Sequence, residues 1–171
     1  IIVTKALINI DYTIDFVAEN GALTCGVPGR NIEEEIASIT KKFIENGDFV
    51  VFAVDLHKEN DAFHPESKLF PPHNIKDTYG RNLYGKVANL YTEAVKNDKN
   101  VYWMDKTRYS AFAGTDLEIK LRERQINELH LVGVCTDICI LHTAIDAYNR
   151  GFQIVVHSSA VASFNPTGHD W

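Results

Sequence analysis

The chain has 171 residues, 45% of them hydrophobic and 23% charged, with a net charge of -6. That suits a single domain with a core of its own and argues against a nucleic-acid role, because no Lys/Arg cluster stands out. No apolar run is long enough to span a bilayer and no signal-peptide pattern opens the chain, so the expectation is a cytoplasmic protein without a membrane partner. Three cysteines in such a chain speak against a disulfide scaffold and for weighing each thiol as reactive or metal-binding.

The chain opens on Ile1 rather than a methionine and stops at Gly168-His-Asp-Trp171, where a helical pattern begins. One domain over 1–171, trimmed at its ends and above all at the C-terminus, is expected. Lys5 to Asp11 reads as a first strand. Apolar residues at Ile32, Ile36, Ile39, Phe43 and Ile44 predict a helix over 31–45. Asn31 is its expected N-cap, Glu33, Glu34 and Glu35 its acidic first turn, and Gly47 its stop. Asp48 to Asp55 is a second strand, apolar on both faces. A long irregular stretch from Leu56 to about Tyr84 follows, and loops of that length are functional or disordered.

A helix around Lys86 to Lys96 leads to a third strand at Asn100 to Asp105. Then come a short helix at Asp116 to Arg124 capped by Thr115, a fourth strand at Glu128 to Val134, a helix at Asp137 to Arg150 closed by Gly151, and a fifth strand at Gln153 to His157. This alternation predicts an α/β fold: three layers, with a mostly parallel central sheet and helices on both faces. Ligands of such sheets sit beyond the carboxyl ends of the strands. Asp11, Asp55, Lys106 and the turn from Cys135 to Cys139 all fall there.

Three constellations carry chemistry. Cys139, near a helix start, sits where backbone N–H groups favour a thiolate. Asp11 is a candidate base for it, and Lys106 a charge partner. Each residue also has a plainer reading: a turn aspartate, a solvated lysine, two small core cysteines. Asp55 and His57, with Glu66 and His73 later in the same loop and His64 as a competitor, form a second group. Imidazoles and carboxylates hold a divalent metal, but these residues alone leave a polar surface loop equally open. Phe16, Phe70 and Tyr109 are candidate walls of a flat pocket for a ring, against ordinary core packing. His130, His142 and His157 read as structural, and Cys25 is given no role.

Taken together, five segments resemble the isochorismatase-like cysteine hydrolases, and within them the nicotinamidases. They are Ala6-Leu-Ile-Asn-Ile-Asp11-Tyr-Thr-Ile-Asp-Phe16, Val54-Asp55-Leu-His57, Phe70-Pro71-Pro72-His73, Asp105-Lys106 with Tyr109-Ser-Ala-Phe, and Gly133-Val-Cys135-Thr-Asp-Ile-Cys139. The resemblance implies the isochorismatase-like hydrolase fold and hydrolysis of nicotinamide, and of pyrazinamide, to the acid and ammonia through a cysteine thioester, in NAD salvage. Asp11 is then the general base, Lys106 its charge partner and Cys139 the nucleophile. The backbone N–H groups of Cys135 and Cys139 form the oxyanion hole, and a cis peptide is expected at Val134–Cys135. Asp55, His57, Glu66 and His73 hold one divalent metal ion, with His64 the lesser candidate for the fourth place. Zn2+ is the expected ion, with Fe2+ and Mn2+ as alternatives. Phe16, Phe70 and Tyr109 enclose the ring, and a homo-oligomer is expected. The same reading expects a depressed Cys139 pKa.

Overall fold

A computed structural model of the protein describes residues 4–170. Ile1 and Trp171, the two ends that prompted the expectation of trimming, lie outside the described residues. Five strands form one parallel sheet: β1 (Lys5–Ile10), β2 (Phe49–Asp55), β3 (Val101–Lys106), β4 (Glu128–Val134) and β5 (Gln153–Ala162), in the order β3-β2-β1-β4-β5. Among the described residues seven α-helices accompany them: α1 (Ile14–Val17), α2 (Val27–Asn31), α3 (Glu33–Glu45), α4 (Gly85–Ala94), α5 (Leu117–Glu123), α6 (Leu141–Asn149) and α7 (Pro166–Asp170).

Alternation along the buried strands sorts the core into two layers. Ala6, Ile8, Ile10, Val51 and Ala53 face one way and pack with Leu117 and Leu121 of α5 and Ala147 of α6. Leu7, Val50, Phe52 and Val54 face the other way and pack with Ile36, Ile39 and Phe43 of α3 and Val87 of α4. Successive strand side chains point to opposite faces, so strands without polar interruptions must be covered twice. That is the predicted three-layer α/β arrangement.

Local details differ from the sequence reading. Asn31 does not cap the long helix: it ends α2, and Ile32 holds the N-cap position of α3 without a side-chain bond. Pro28, in the first turn of α2, begins a separate helix where the apolar period alone gave none. Asp116 occupies the N-cap of α5, while the Leu117 amide donates to Thr115 Oγ1 at 3.3 Å. Strand β5 runs five residues beyond His157 because a register shift between Leu131 and Gly133 lets it continue pairing with the end of β4. Within the long loop, two short 3-10 turns form at Pro65–Lys68 and Tyr79–Arg81.

The chain leaves β1 toward β2 and β3, then returns to lay β4 against the opposite side of β1. Reversal points of this kind form crevices at the carboxyl ends of the strands. Register brings the critical ends level: Ile10 pairs with both Ala53 and Gly133, and Asp55 pairs with Lys106. Gly133 has φ +122°, and a Cβ there would lie 2.0 Å from the Ile10 carbonyl oxygen. Only glycine lets β4 approach β1 this closely beside Asp11.

Candidate active site

Asp11, just past β1, has a left-handed φ of 53° and is fully buried. Its Oδ1 accepts the Asp55 amide at 2.8 Å. Lys106, the last residue of β3, is also fully buried. Its Nζ donates to Asp55 Oδ1 at 2.6 Å and to the carbonyls of Arg108 and Tyr109 at 3.0 and 3.2 Å, and lies 3.6 Å from Cys139 Sγ. The same ammonium forms an ion pair with Asp11 Oδ2 at 2.8 Å. Asp11, Asp55 and Cys139 each bring a ligand-type atom within 4.8 Å of the others.

The electrostatics divide the two carboxylates. Burial, then repulsion from Asp55, raises the Asp11 pKa to about 6 against the pull of Lys106. Burial also works on Asp55, but Lys106 and His57 outweigh it and hold the group at about 2. Lys106 is desolvated, yet Asp11 and Asp55 keep it firmly protonated. The result is one committed carboxylate and one poised near neutrality, the separation expected of an acid–base site.

Cys139 corrects two expectations. It lies inside a π-helical turn, Thr136–Ile140, that precedes α6, not in the first turn of an α-helix. Its thiol pKa is also raised, not depressed: burial dominates, Lys106 draws the value down, and the two aspartates push it back up. The resting group is a thiol, because a helix-end field is weaker than full desolvation beside two carboxylates. The Val134–Cys135 peptide is cis, and the Cys135 carbonyl accepts the amides of Ile138 and Ile140, both at 3.1 Å.

Asp55, His57, Glu66 and His73 are all buried, and their ligand atoms lie within 4.8 Å of one another. His73 Nε2 is 3.4 Å from Glu66 Oε1, and His57 Nε2 is 3.8 Å from the same oxygen and 3.6 Å from Asp55 Oδ2. Ligands about 2.1 Å from one tetrahedral ion stand about 3.4 Å apart. His57 Nε2, Glu66 Oε2 and His73 Nε2 have no hydrogen-bond partner despite burial, a costly state unless a cation takes their lone pairs. His73 Nδ1 pairs with the Pro71 carbonyl at 2.8 Å, which aims Nε2 into the cluster. These residues fit a divalent metal.

His64 is engaged elsewhere: Nδ1 accepts the Glu66 amide and caps the 3-10 turn, while Nε2 bonds the Thr107 carbonyl. Its position presents Glu66 to the cluster.

A narrow cavity joins the two groups. Cys135, Cys139, Asp55, Glu66 and His73 line it together with the aromatic walls Phe16, Phe70 and Tyr109. Its volume of about 10 Å³ is on the scale of a single water, for which ~10–15 Å³ is needed. A second, larger cavity of about 600 Å³ lies against the outer side of the same loop and shares Glu66, Phe70 and His73.

Comparison with known proteins gives the family. A model of the isochorismatase domain matches residues 5–171. The chain belongs to the isochorismatase family. It is 70% identical to nicotinamidase/pyrazinamidase PncA from Bacillus subtilis, whose crystal structure superposes with a TM-score of 0.96 over 98% of this chain and 91% of that one. Pyrazinamidase/nicotinamidase from Streptococcus mutans UA159 is 59% identical, with a TM-score of 0.95 over 98% of this chain and 92% of that one. The pyrazinamidase of Pyrococcus horikoshii, solved in complex with zinc, is 27% identical, with a TM-score of 0.83 over 97% of this chain and 90% of that one.

In this isochorismatase-family site, several participants escaped the sequence reading. Leu23, Ile138 and Phe164 complete the cavity wall; Ile138 stands within the Cys135–Cys139 motif without having been singled out, and Leu23 and Phe164 are single apolar residues in distant segments that give no motif to find. Asn74 is fully buried with φ 46°. Its Oδ1 accepts Thr13 Oγ1 at 2.9 Å, its carbonyl accepts the His57 amide at 3.1 Å, and its own amide donates to Asp15 at 2.8 Å. Arg81 Nε donates to the Asp55 carbonyl at 2.7 Å. Position next to His73 is the one signal that pointed toward Asn74.

Proposed function

We propose that this protein is a metal-containing nicotinamidase that hydrolyses nicotinamide, and pyrazinamide, to the acid and ammonia through a Cys139 thioester. The observation that carries the reading is the shared cavity: the buried Cys139 thiol lines it together with Asp55, Glu66 and His73, three of the four clustered metal-type residues, with aromatic rings around them. The similarity to nicotinamidases at 59–70% identity supports the substrate class.

Asp55, His57, Glu66 and His73 would hold one divalent ion, and zinc suits two imidazoles with two carboxylates. When bound, that ion supplies an electron-pair acceptor that anchors the ring nitrogen. Phe16, Phe70 and Tyr109 sandwich the ring and exclude water, and the carboxamide faces Cys139. Phe164, 37% exposed, stands at the edge of the same cavity.

Asp11 takes the proton of the Cys139 thiol as sulfur attacks the amide carbon. Lys106, 3.6 Å from Sγ, stabilises the developing sulfur charge, which a resting thiol in this burial needs. The amides of Cys135 and Cys139 hold the oxyanion. Protonated Asp11 then gives its proton to the departing nitrogen, ammonia leaves, and an acyl thioester remains. Asp11 next deprotonates a water that attacks the thioester, and nicotinate is released with the thiol restored. The reading places the protein, as a cytoplasmic homo-oligomer, in salvage of nicotinamide toward NAD.

Ammonia release from nicotinamide, measured beside metal content, tests this. The purified protein should release ammonia with about one metal per chain, and Cys139→Ala should release none. Full activity in that variant sinks the mechanism, and turnover without any stoichiometric metal sinks the anchoring role.

A further inference from the structure

We propose that Cys25 and Cys135 are a thiol modification site: a pair that closes into a disulfide under a hydroperoxide and reopens under a dithiol, disabling the neighbouring reaction site while closed. Neither thiol has a chemical step in the mechanism above. Both are free and buried, and their sulfurs stand 3.3 Å apart, although 110 positions separate them in sequence. Cys135 is thus within reach of a second thiol, and it also lines the cavity that holds Cys139.

The chemistry balances with the peroxide as oxidant. Of the two thiols, Cys135 lines the cavity wall and Cys25 does not, so Cys135 is the one a hydroperoxide meets first. Cys135 sulfur attacks one peroxide oxygen, the O–O bond breaks, and water or an alcohol leaves, giving a sulfenic acid. Cys25 sulfur attacks that sulfur, the S–O bond breaks, and a water leaves with the Cys25 proton. Two thiols have lost two electrons and the peroxide has gained them. Dithiol exchange reverses the bond.

Closure requires movement at the site. A disulfide holds its sulfurs about 2 Å apart, so the pair must approach by more than 1 Å. Cys25 is tethered where its amide donates to the Phe16 carbonyl at 2.7 Å. It is also backed by Gly29, where a Cβ would already stand 3.1 Å from the Cys25 Cβ. Much of the shift therefore falls on Cys135, whose backbone leads into the turn carrying Cys139. A misplacement of about 1 Å at reacting groups costs roughly 100-fold in rate. Bond formation is independent of what reaction the site performs; the loss of turnover rests on the oxyanion role proposed for the Cys135 amide.

The decisive experiment uses the metal-loaded full chain with Cys139→Ala, which removes the competing thiol. After hydrogen peroxide, the intact mass should fall by two hydrogens, both remaining thiols should vanish, and digestion should give one peptide linking Cys25 to Cys135. Dithiothreitol should restore both thiols. Adding Cys25→Ser should abolish the linked peptide and leave oxygen added to Cys135 instead. Oxygen addition without linkage in the Cys139→Ala protein overturns the proposal. In the unmutated enzyme, peroxide should lower nicotinamide turnover by roughly 10- to 100-fold, with a dithiothreitol-recoverable part that is larger than the one in Cys25→Ser, where only sulfenic acids are left to be reduced. A linked peptide with undiminished turnover overturns the control of activity. Failure of the nicotinamidase reading would look different: reduced enzyme releasing no ammonia at all.

Discussion

The strand ends and the loop between β2 and α4 place functional groups in different ways. Asp11, Asp55 and Lys106 sit at the carboxyl edge of the sheet, where parallel register brings the backbones level before any side chain interacts. Glu66 and His73 instead ride on a loop with little regular structure, held by local devices: the His64 cap, the His73–Pro71 bond and the Asn74 bridge to Thr13 and His57. Asp55 belongs to both regions, with one oxygen on Lys106 and the other toward His57. The proposed reaction geometry is therefore built into the sheet, while the proposed metal-ligand geometry rests on a loop whose buried polar atoms His57 Nε2, Glu66 Oε2 and His73 Nε2 have no hydrogen-bond partner.

The sharpest break lies on the sheet side. Cys139→Ala should lower turnover by at least about 10⁴-fold with metal content and thermal stability nearly unchanged. Lys106→Ala should abolish turnover as well, and it should also destabilise the fold by about 3–5 kcal/mol, because Asp11 and Asp55 would remain as buried carboxylates without their cation. Chemical denaturation measures the difference between these two variants. Equal stability would mean that Lys106 is not what balances the strand-end charges.

On the loop side the expected effect is smaller and of another kind. Asn74→Gly keeps the left-handed backbone but removes the amide side chain, so metal affinity should weaken about 10–100-fold while turnover at saturating metal is largely kept. Competition with a chelator reads the affinity. An Asn74→Gly enzyme that binds metal normally but turns over slowly would place Asn74 with the strand ends instead.

Acid separates the regions again. Asp11 titrates near 6 and must be deprotonated to act as base, so turnover should fall about tenfold per unit as pH drops below that value. The sign follows from a raised carboxyl pKa: protonation, and loss of the base, come earlier than for an ordinary aspartate. A pH–rate profile flat down to pH of about 4 contradicts the assignment of Asp11. The smallest effect is expected at the cavity rim, where Phe164→Ala should change KM for nicotinamide by no more than about tenfold and leave kcat within a similar range.

Much of this site was legible because its residues follow strands. A buried run such as Phe49–Asp55 has a visible end, and a charged residue there has a predictable level in the sheet. The loop was legible only as a set of residue types. Asp55, His57, Glu66, His64 and His73 were all candidates, and nothing in their spacing separated Glu66 from His64. Packing did: the Glu66 amide and the Thr107 carbonyl occupy both nitrogens of His64. The thiol was misjudged for a related reason. Its place near a helix start was visible, but full burial beside Asp11 and Asp55 was not, and desolvation outweighs a helix-end field.

By itself, then, the amino-acid sequence determined the layered α/β class, the strand ends that bear Asp11, Asp55 and Lys106, the turn after β4 that bears Cys139, and the set of metal-type residues in the long loop. Those follow from periodicity and residue chemistry, which are local. Tertiary structure alone decided which nitrogens remain unpaired, which carboxylate is poised near neutrality, and that Cys25 lies against Cys135. Each of these depends on distances between segments that are remote along the chain, and burial sets how strongly the groups act on one another.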